Sequence, residues 1–369
     1  MKKRINIVGA LTCRGEAMTQ VDEAITPPDK TLRYRALDGM RAVAILFVLS
    51  AHARSSVDMP AYPQWWWHLG DLGSLGVRIF FVLSGFIITH LLLRESSREG
   101  SISLRAFYIR RIFRIIPPVI VFMSLVGVGM ALGYLQVPIK QFIMALVFLG
   151  NYVGASSGWT IGHLWSLAVE EQFYLFWPMV LAFTIRHARY RWLFIFTSLV
   201  LSPAIRVWGQ VHGTGNPQGF IENSDALAMG ALAAMIFSGA GFVRLSRFME
   251  SVPAWVSGLM ILVFHYEPIS EILKQALCYP LIHFCVAALI LRVIRVERDP
   301  VAKLLSMRPL VFIGAISYSL YLFQQPVFNR PPLEMLPGFP WHIVLVFALA
   351  IASHYCVELP FMKWRERFL

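Results

Sequence analysis

Residues 38–54 read DGMRAVAILFVLSAHAR. The stretch is apolar enough for a membrane helix, yet it opens on Asp38 and Arg41 and reaches His52 near its end. Ionisable groups are costly in hydrocarbon and by default face a protein interior that uses them. The eleven residues from Arg41 to His52 make about three helical turns, so both side chains emerge on one face, about 16 Å apart along the axis. Asp38 sits on nearly the same face. Two readings stay open on spacing alone. In one, an Asp38–Arg41 pair anchors the helix end and His52 is bonded inside a packed bundle. In the other, a charge at the near membrane face holds a donor and a buried base waits at the far end of a long slot.

The rest of the chain decides the solvent. Of 369 residues, 57% are hydrophobic and only 15% are charged, and the mean hydropathy is +0.60. Soluble domains are nearer half apolar and a quarter charged, so the totals favour a multi-span membrane protein. The run Trp65-Trp66-Trp67 fits residues at headgroup level. Cys13, Cys278, Cys285 and Cys356 show no CxxC and no metal-ligand spacing, so packing roles are expected, with no disulfide and no metal. The start MKKRINIVGALTC is a poor signal peptide. Residues 1–30 read as a polar, mobile arm, within which Met18 is an alternative start, and residues 31–369 as one transmembrane domain.

About 20 apolar residues cross the hydrocarbon as a helix. Candidate segments fall at roughly 37–53, 74–93, 115–135, 138–153, 164–185, 192–209, 223–240, 254–266, 276–294, 309–328 and 341–359. Lysine and arginine concentrate on the cytoplasmic side. If 138–153 (within PIKQFIMALVFLGNYVG) is re-entrant or peripheral, 27 of the 33 basic residues fall on one side. The expected fold is therefore all-α and polytopic, with about ten transmembrane helices, one partial segment and both termini cytoplasmic. The net charge of +12 is then a matter of topology, and no nucleic-acid partner is needed.

Other polar groups lie inside the candidate spans. FYIRRIFRIIPP (107–118) packs Arg110, Arg111 and Arg114 at a helix start. Guanidinium forks match phosphate geometry, although a plain positive-inside cluster would look the same. In GHLWSLAVEEQFYLFWP (162–178), His163, Ser166, Glu170 and Trp177 share a face, with Glu171 about 100° around. A pairing of Glu170 or Glu171 with Arg78, from GVRIFFVLSGF (76–86), would lower the cost of burying both. In ISYSLYLFQQP (316–326), Ser317, Tyr321 and Gln324 line one face, as a polar ligand or interhelical bonding would require.

These pieces, together with YRALDGMRAVAILFVLSAHA (34–53) and the terminal VELPFMKW (357–364), resemble in order and spacing the acyltransferase family 3 membrane proteins. The resemblance covers roughly residues 33–365. It implies transfer of an acyl group, commonly acetyl, from cytoplasmic acyl-CoA to a carbohydrate or glycoconjugate at the membrane's outer side, in the plasma (inner) membrane. The family's Arg/Lys-x10-His motif matches Arg41 and His52, and its Arg-x-x-Arg motif matches Arg111 and Arg114. Two departures stand out. Many relatives have a histidine where this chain has Gln324, and some longer relatives carry a hydrolase-like domain that is not expected here.

The expected site is then His52 as general base with Arg41 and Asp38, Arg111, Arg114 and Arg110 on the acyl-CoA phosphates, and no bound cofactor or metal. A direct attack on the thioester and an acyl-histidine relay both remain open. Arg78, Ser84, His163, Glu170, Glu171 and Tyr321 form an acceptor pocket or a structural polar network. A transporter or flippase of a lipid-linked or acylated molecule is the alternative, and it is disfavoured by the lack of internal repeats.

Overall fold

The computed structural model describes residues 30–54, 72–153, 159–184, 187–239, 243–296, 298–328 and 338–369. The tryptophan run at 65–67, Cys13 and all but the last residue of the 1–30 arm lie outside the described residues.

The chain is all helical, with no strand among the described residues. Helix α1 spans Lys30–Ala53, α2 Leu72–Glu99, α3 Leu104–Ala131, α4 Ile139–Leu146, α5 Leu164–Thr184, α6 Ala188–His212 and α7 Phe220–Phe237. They are followed by α8 Val243–Ser251, α9 Ala254–Tyr266, α10 Glu271–Arg295, α11 Pro300–Leu305, α12 Arg308–Ala315, α13 Ser317–Val327 and α14 Trp341–Arg367. Single π-turns interrupt α10 at Lys274–Cys278 and α14 at His354–Glu358.

Seven helices (α1, α2, α3, α6, α7, α10 and α14) are long and apolar enough to cross a membrane, and two bent pairs raise the number to nine. One pair is α8 with α9, bent by 88°, and the other is α12 with α13, bent by 69°. The apolar segment 309–328 is therefore two helices and not the single span expected, divided by the bend at Ile316. Helix α5 is 21 residues long but carries Glu170, Glu171 and Gln172, which lower its hydropathy below that of the other spans. Helix α4 has eight residues, about 12 Å, far short of a 30 Å core. The outward faces of the long helices expose large apolar side chains such as Leu125, Val200 and Phe183, as lipid contact requires.

Helix α2 is the centre of the bundle and packs on α1, α5, α7 and α10. Where helices cannot gain from excluding water, close backbone approach through small residues draws them together. A Cβ at Gly85 would lie 2.0 Å from the Leu227 carbonyl oxygen, and one at Gly230 would lie 2.0 Å from that of Val82. Glycine thus lets α2 and α7 touch from both sides. Gly76 likewise admits the Ala44 carbonyl of α1, and Gly314 of α12 admits that of Asp38. Helix α2, at 28 residues or about 42 Å, is longer than the hydrocarbon is thick. Its last turns, with the start of α3, line the entrance described next.

Candidate active site

Two recesses run between α1, α2, α3, α5 and α13. The outer one, with about 860 Å³ of empty space, is lined by Arg110, Arg111, Arg114, Glu95, Leu91 and Arg365. The inner one, about 750 Å³, is lined by Ser166, Glu170, Glu171, Ser317, Tyr318 and Tyr321, among others. Arg41, Ser84, Ile87, Arg111, Arg114 and Tyr174 line both, so the two form one path from a basic mouth to a hydroxyl-rich chamber.

The mouth owes its charge to helix spacing: Arg110, Arg111 and Arg114 occupy the second and third turns of α3, which Ser103 caps through Ala106 N–H at 3.3 Å. Arg110 is paired with Glu95 at 2.9 Å. Among the described residues neither Arg111 nor Arg114 forms an ion pair or a hydrogen bond, and Arg111 lies 4.4 Å over the Tyr174 ring. Arg365, near the end of α14, faces the same recess with its Nε unpartnered. Two guanidinium groups without a direct ion pair, although near Glu170, Glu171, Glu358 and Asp38, stand beside a third and a fourth and suit a polyanion of phosphate type.

Inside, Arg41 donates from Nε (3.2 Å) and Nη2 (3.1 Å) to Ser317 Oγ on α13. It forms no ion pair with Asp38, which one of the two open readings required; Asp38 feels the charges of Arg41 and Arg114. Glu170 accepts from Ser84 Oγ at 2.8 Å and from Tyr174 Oη at 3.0 Å. Glu171 faces the chamber with Oε1 unpartnered.

The chamber stops at Ser166 and Tyr321, whose hydroxyls share a short hydrogen bond. Tyr321 Oη also donates to the His163 carbonyl at 2.6 Å, and the two rings are 5.3 Å apart. His163 Nε2 faces the Leu322 carbonyl at 3.1 Å. His52 lines neither recess. It lies beyond this wall, at the other end of α1, with Nδ1 2.8 Å from Gln324 Oε1 and its ring edge-on to Trp159 at 5.4 Å. The aligned pair Arg41 and His52 on α1 therefore meets an aligned pair, Ser317 and Gln324, on α13. A carboxamide oxygen can only accept, so the neutral tautomer that fits this contact has its proton on Nδ1 and its lone pair on Nε2.

Arg78 is not with this group. Its expected pairing with Glu170 or Glu171 does not form, because Arg78 and Ser84 are six residues, or about 240°, apart around α2. Arg78 instead stacks over Tyr279 (3.4 Å from centroid) and approaches His283 Nε2 at 3.5 Å, facing α7 and α10. Two further groups are not among the expected site residues, although the second lies in a motif that carries the family resemblance. Arg365 has no local signal. Glu358, in the terminal VELPFMKW, is buried and accepts from Ser319 Oγ in a short bond, with Oε2 3.1 Å from His354.

A family model described as an acyltransferase domain matches residues 34–358. The chain belongs to that family. A Staphylococcus aureus protein provisionally named an O-acetyltransferase is 30% identical over 92% of this chain and 60% of its own length. The peptidoglycan O-acetyltransferase of Listeria monocytogenes is 28% identical, over 90% and 57%. A Bacillus subtilis protein, provisionally named a peptidoglycan O-acetyltransferase, is also 28% identical, over 90% and 56%. The chain thus spans about three fifths of the length of the curated relatives it matches. No solved structure matches it. Apolar helices and family together make it a polytopic membrane protein.

Proposed function

We propose that the chain is an O-acyltransferase that moves an acetyl group from acetyl-CoA to a carbohydrate hydroxyl at the opposite membrane face. One observation carries this reading: a continuous path leads from a guanidinium-lined mouth, past Arg41, to a hydroxyl-lined chamber. CoA offers a cluster of phosphates on a thin pantetheine arm, and that division of charge matches the division of the path. Arg111, Arg114 and Arg110, with Arg365, hold the phosphates, and the arm extends past Arg41 toward Ser166 and Tyr321. The tendency of basic loops to face the cytoplasm supports assigning this mouth to the donor's side.

Transfer requires the Tyr321–Ser166 contact to open, since it stands between the chamber and His52. With Nδ1–H donating to Gln324, His52 Nε2 takes the proton of the acceptor hydroxyl as its oxygen attacks the thioester carbonyl. The tetrahedral intermediate then expels CoA thiolate, which recovers the proton from the imidazolium, leaving the ester and CoA thiol. Arg41 and Asp38 help to hold the arm's entry. Ser84, His163, Glu170 and Glu171 keep the chamber polar and in register. The sugar of the acceptor is proposed by likeness to relatives named for peptidoglycan O-acetylation.

The test is labelled acetyl-CoA, incubated with purified protein in lipid and a panel of cell-wall and surface glycans. Label on a glycan supports the reading. Changing Arg111 and Arg114 to alanine removes charge-assisted contacts of about 1.5–3 kcal/mol each, so donor affinity falls at least about tenfold. Donor binding untouched by both changes would refute the assigned mouth.

A further inference from the structure

A second charged cluster lies away from the path. On α6 and α7, Arg206 grips Asp225 with two bonds, Nη1 to Oδ1 at 2.9 Å and Nη2 to Oδ2 at 2.8 Å, and Ser202 Oγ donates to the same carboxylate at 2.9 Å. His283 of α10 sits with Nδ1 3.3 Å from Asp225 Oδ2, and Arg78 of α2 closes the group. Asp225, Arg206 and His283 are buried. Arg78 and the Tyr279 ring beneath it are only partly covered, so they form the open edge.

The charges do not balance. Two guanidinium groups remain protonated at any working pH. Among the described residues, the only carboxylate bonded within the cluster is Asp225, and Arg206 takes both of its oxygens. Among the described residues, Arg78 meets the Tyr279 side chain, a long contact to His283 and the more distant charge of Asp225, and its Nε has no acceptor. A partly covered guanidinium whose nearest carboxylate is already held by a second guanidinium has a use for a monoanion of its own.

Its position says which molecule could bring that anion. Along α2, Arg78 and Glu95 of the mouth are 17 residues, about 25 Å, apart. Arg78 is six residues from the start of α2, and that start packs against the end of α1 that bears His52, with Gly73 against Ala51. Gly76, two residues before Arg78, packs on the Ala44 carbonyl, so Arg78 stands level with the middle of α1, on the His52 side of Arg41 and away from the arginine mouth.

We propose that Arg78, backed by Tyr279 and the Arg206–Asp225–His283 network, is an anion-recognition site for the acceptor, which is an acidic glycan bearing a carboxylate or phosphate monoanion. The assignment to the acceptor rests on the transferase reading; the anion site itself does not. Asp225 and His283 position the edge rather than touch the acceptor, and Arg206 neutralises Asp225 so that Arg78 stays unspent.

Binding is measured first, without chemistry. The full chain in nanodiscs, with saturating CoA to fill the mouth, is titrated with methyl glucuronide, glucose 6-phosphate and neutral methyl glucoside. At least one anionic sugar should bind about tenfold or more tightly than the neutral one, as loss of a charge-assisted pair implies. Arg78→Gln should abolish that preference, whereas the Arg111→Ala/Arg114→Ala protein should keep it. Preference retained in Arg78→Gln, or lost only in the mouth variant, overturns the proposal, as does equal binding of the neutral sugar. Should Arg78→Gln fail to fold, the unaltered chain is treated with phenylglyoxal. The anionic sugar, and not the neutral one, should then protect Arg78, and equal modification overturns the site. Carboxylate and phosphate are told apart by which of the two sugars binds. Anion binding without any acetyl transfer would sink the transferase reading while leaving the site standing.

Discussion

Replacing Gln324 with leucine tests how His52 is made ready. Gln324 is fully buried, and its Oε1 is 2.8 Å from His52 Nδ1, so no water replaces the acceptor once it is gone. Leaving an imidazole N–H unpaired in such a place costs about 1–3 kcal/mol. If that cost falls on the transition state, where the imidazole gains charge, it amounts to about 5- to 150-fold in kcat. The effect on overall stability should be smaller, because Gln324 Nε2 is itself buried without a partner and leucine removes that orphan too. Gln324→Glu retains an acceptor at the same place and should keep more of the rate. Thiol release from acetyl-CoA, followed at several donor concentrations beside a melting curve, separates the effects. Donor KM should hold, since Gln324 lines neither recess. Leucine within about twofold of the natural kcat, or an equal fall in both variants, would refute the orienting role.

Three further outcomes follow from packing and charge. Gly85→Ala puts a methyl 2.0 Å from the Leu227 carbonyl, so α2 and α7 must part; a loss of about 3 kcal/mol, seen as a lower melting temperature of the detergent-solubilised protein, is expected. Asp225→Asn breaks a buried bidentate pair and should cost about 3–5 kcal/mol, and adding Arg206→Met should recover part of it in the same melt. Asp299, in the loop after α10, caps α11 through Val301 N–H at 2.9 Å. Burial alone would raise its pKa, but Arg292 at 2.9 Å and the cap outweigh burial and hold the carboxyl below its ordinary value. Its stabilisation is therefore complete above the unfolded value near 3.9 and fades as pH falls through the lower native one. Asp299→Ala should cost about 1 kcal/mol at pH 7, with the gap closing below about pH 4.

The sequence was most legible where a single helix decides the matter. The step from Arg41 to His52 fixes a shared face whatever surrounds it, and α1 is helical throughout that stretch. The same holds for Ser317 and Gln324, which meet those two residues. Partners on different helices were not legible. Arg78 was paired with the wrong acid because helical periodicity gives a direction and not a neighbour, and its true company, Asp225 and His283, comes from helices distant in the chain. The bend at Ile316 carries no proline or glycine at its own position, so hydropathy ran straight through it. Arg365 reaches the mouth only because α14 folds back along α3. The wall of Tyr321 and Ser166 between chamber and base is also a product of two helices, invisible to either alone.

The most direct test of transfer across the bundle uses proteoliposomes with labelled acetyl-CoA confined to the face bearing Arg111 and the glycan confined to the other. The account predicts labelled glycan from the natural chain, none from His52→Ala, and equal CoA binding by both. Transfer that proceeds undiminished in His52→Ala, or only when donor and acceptor share a face, would contradict it.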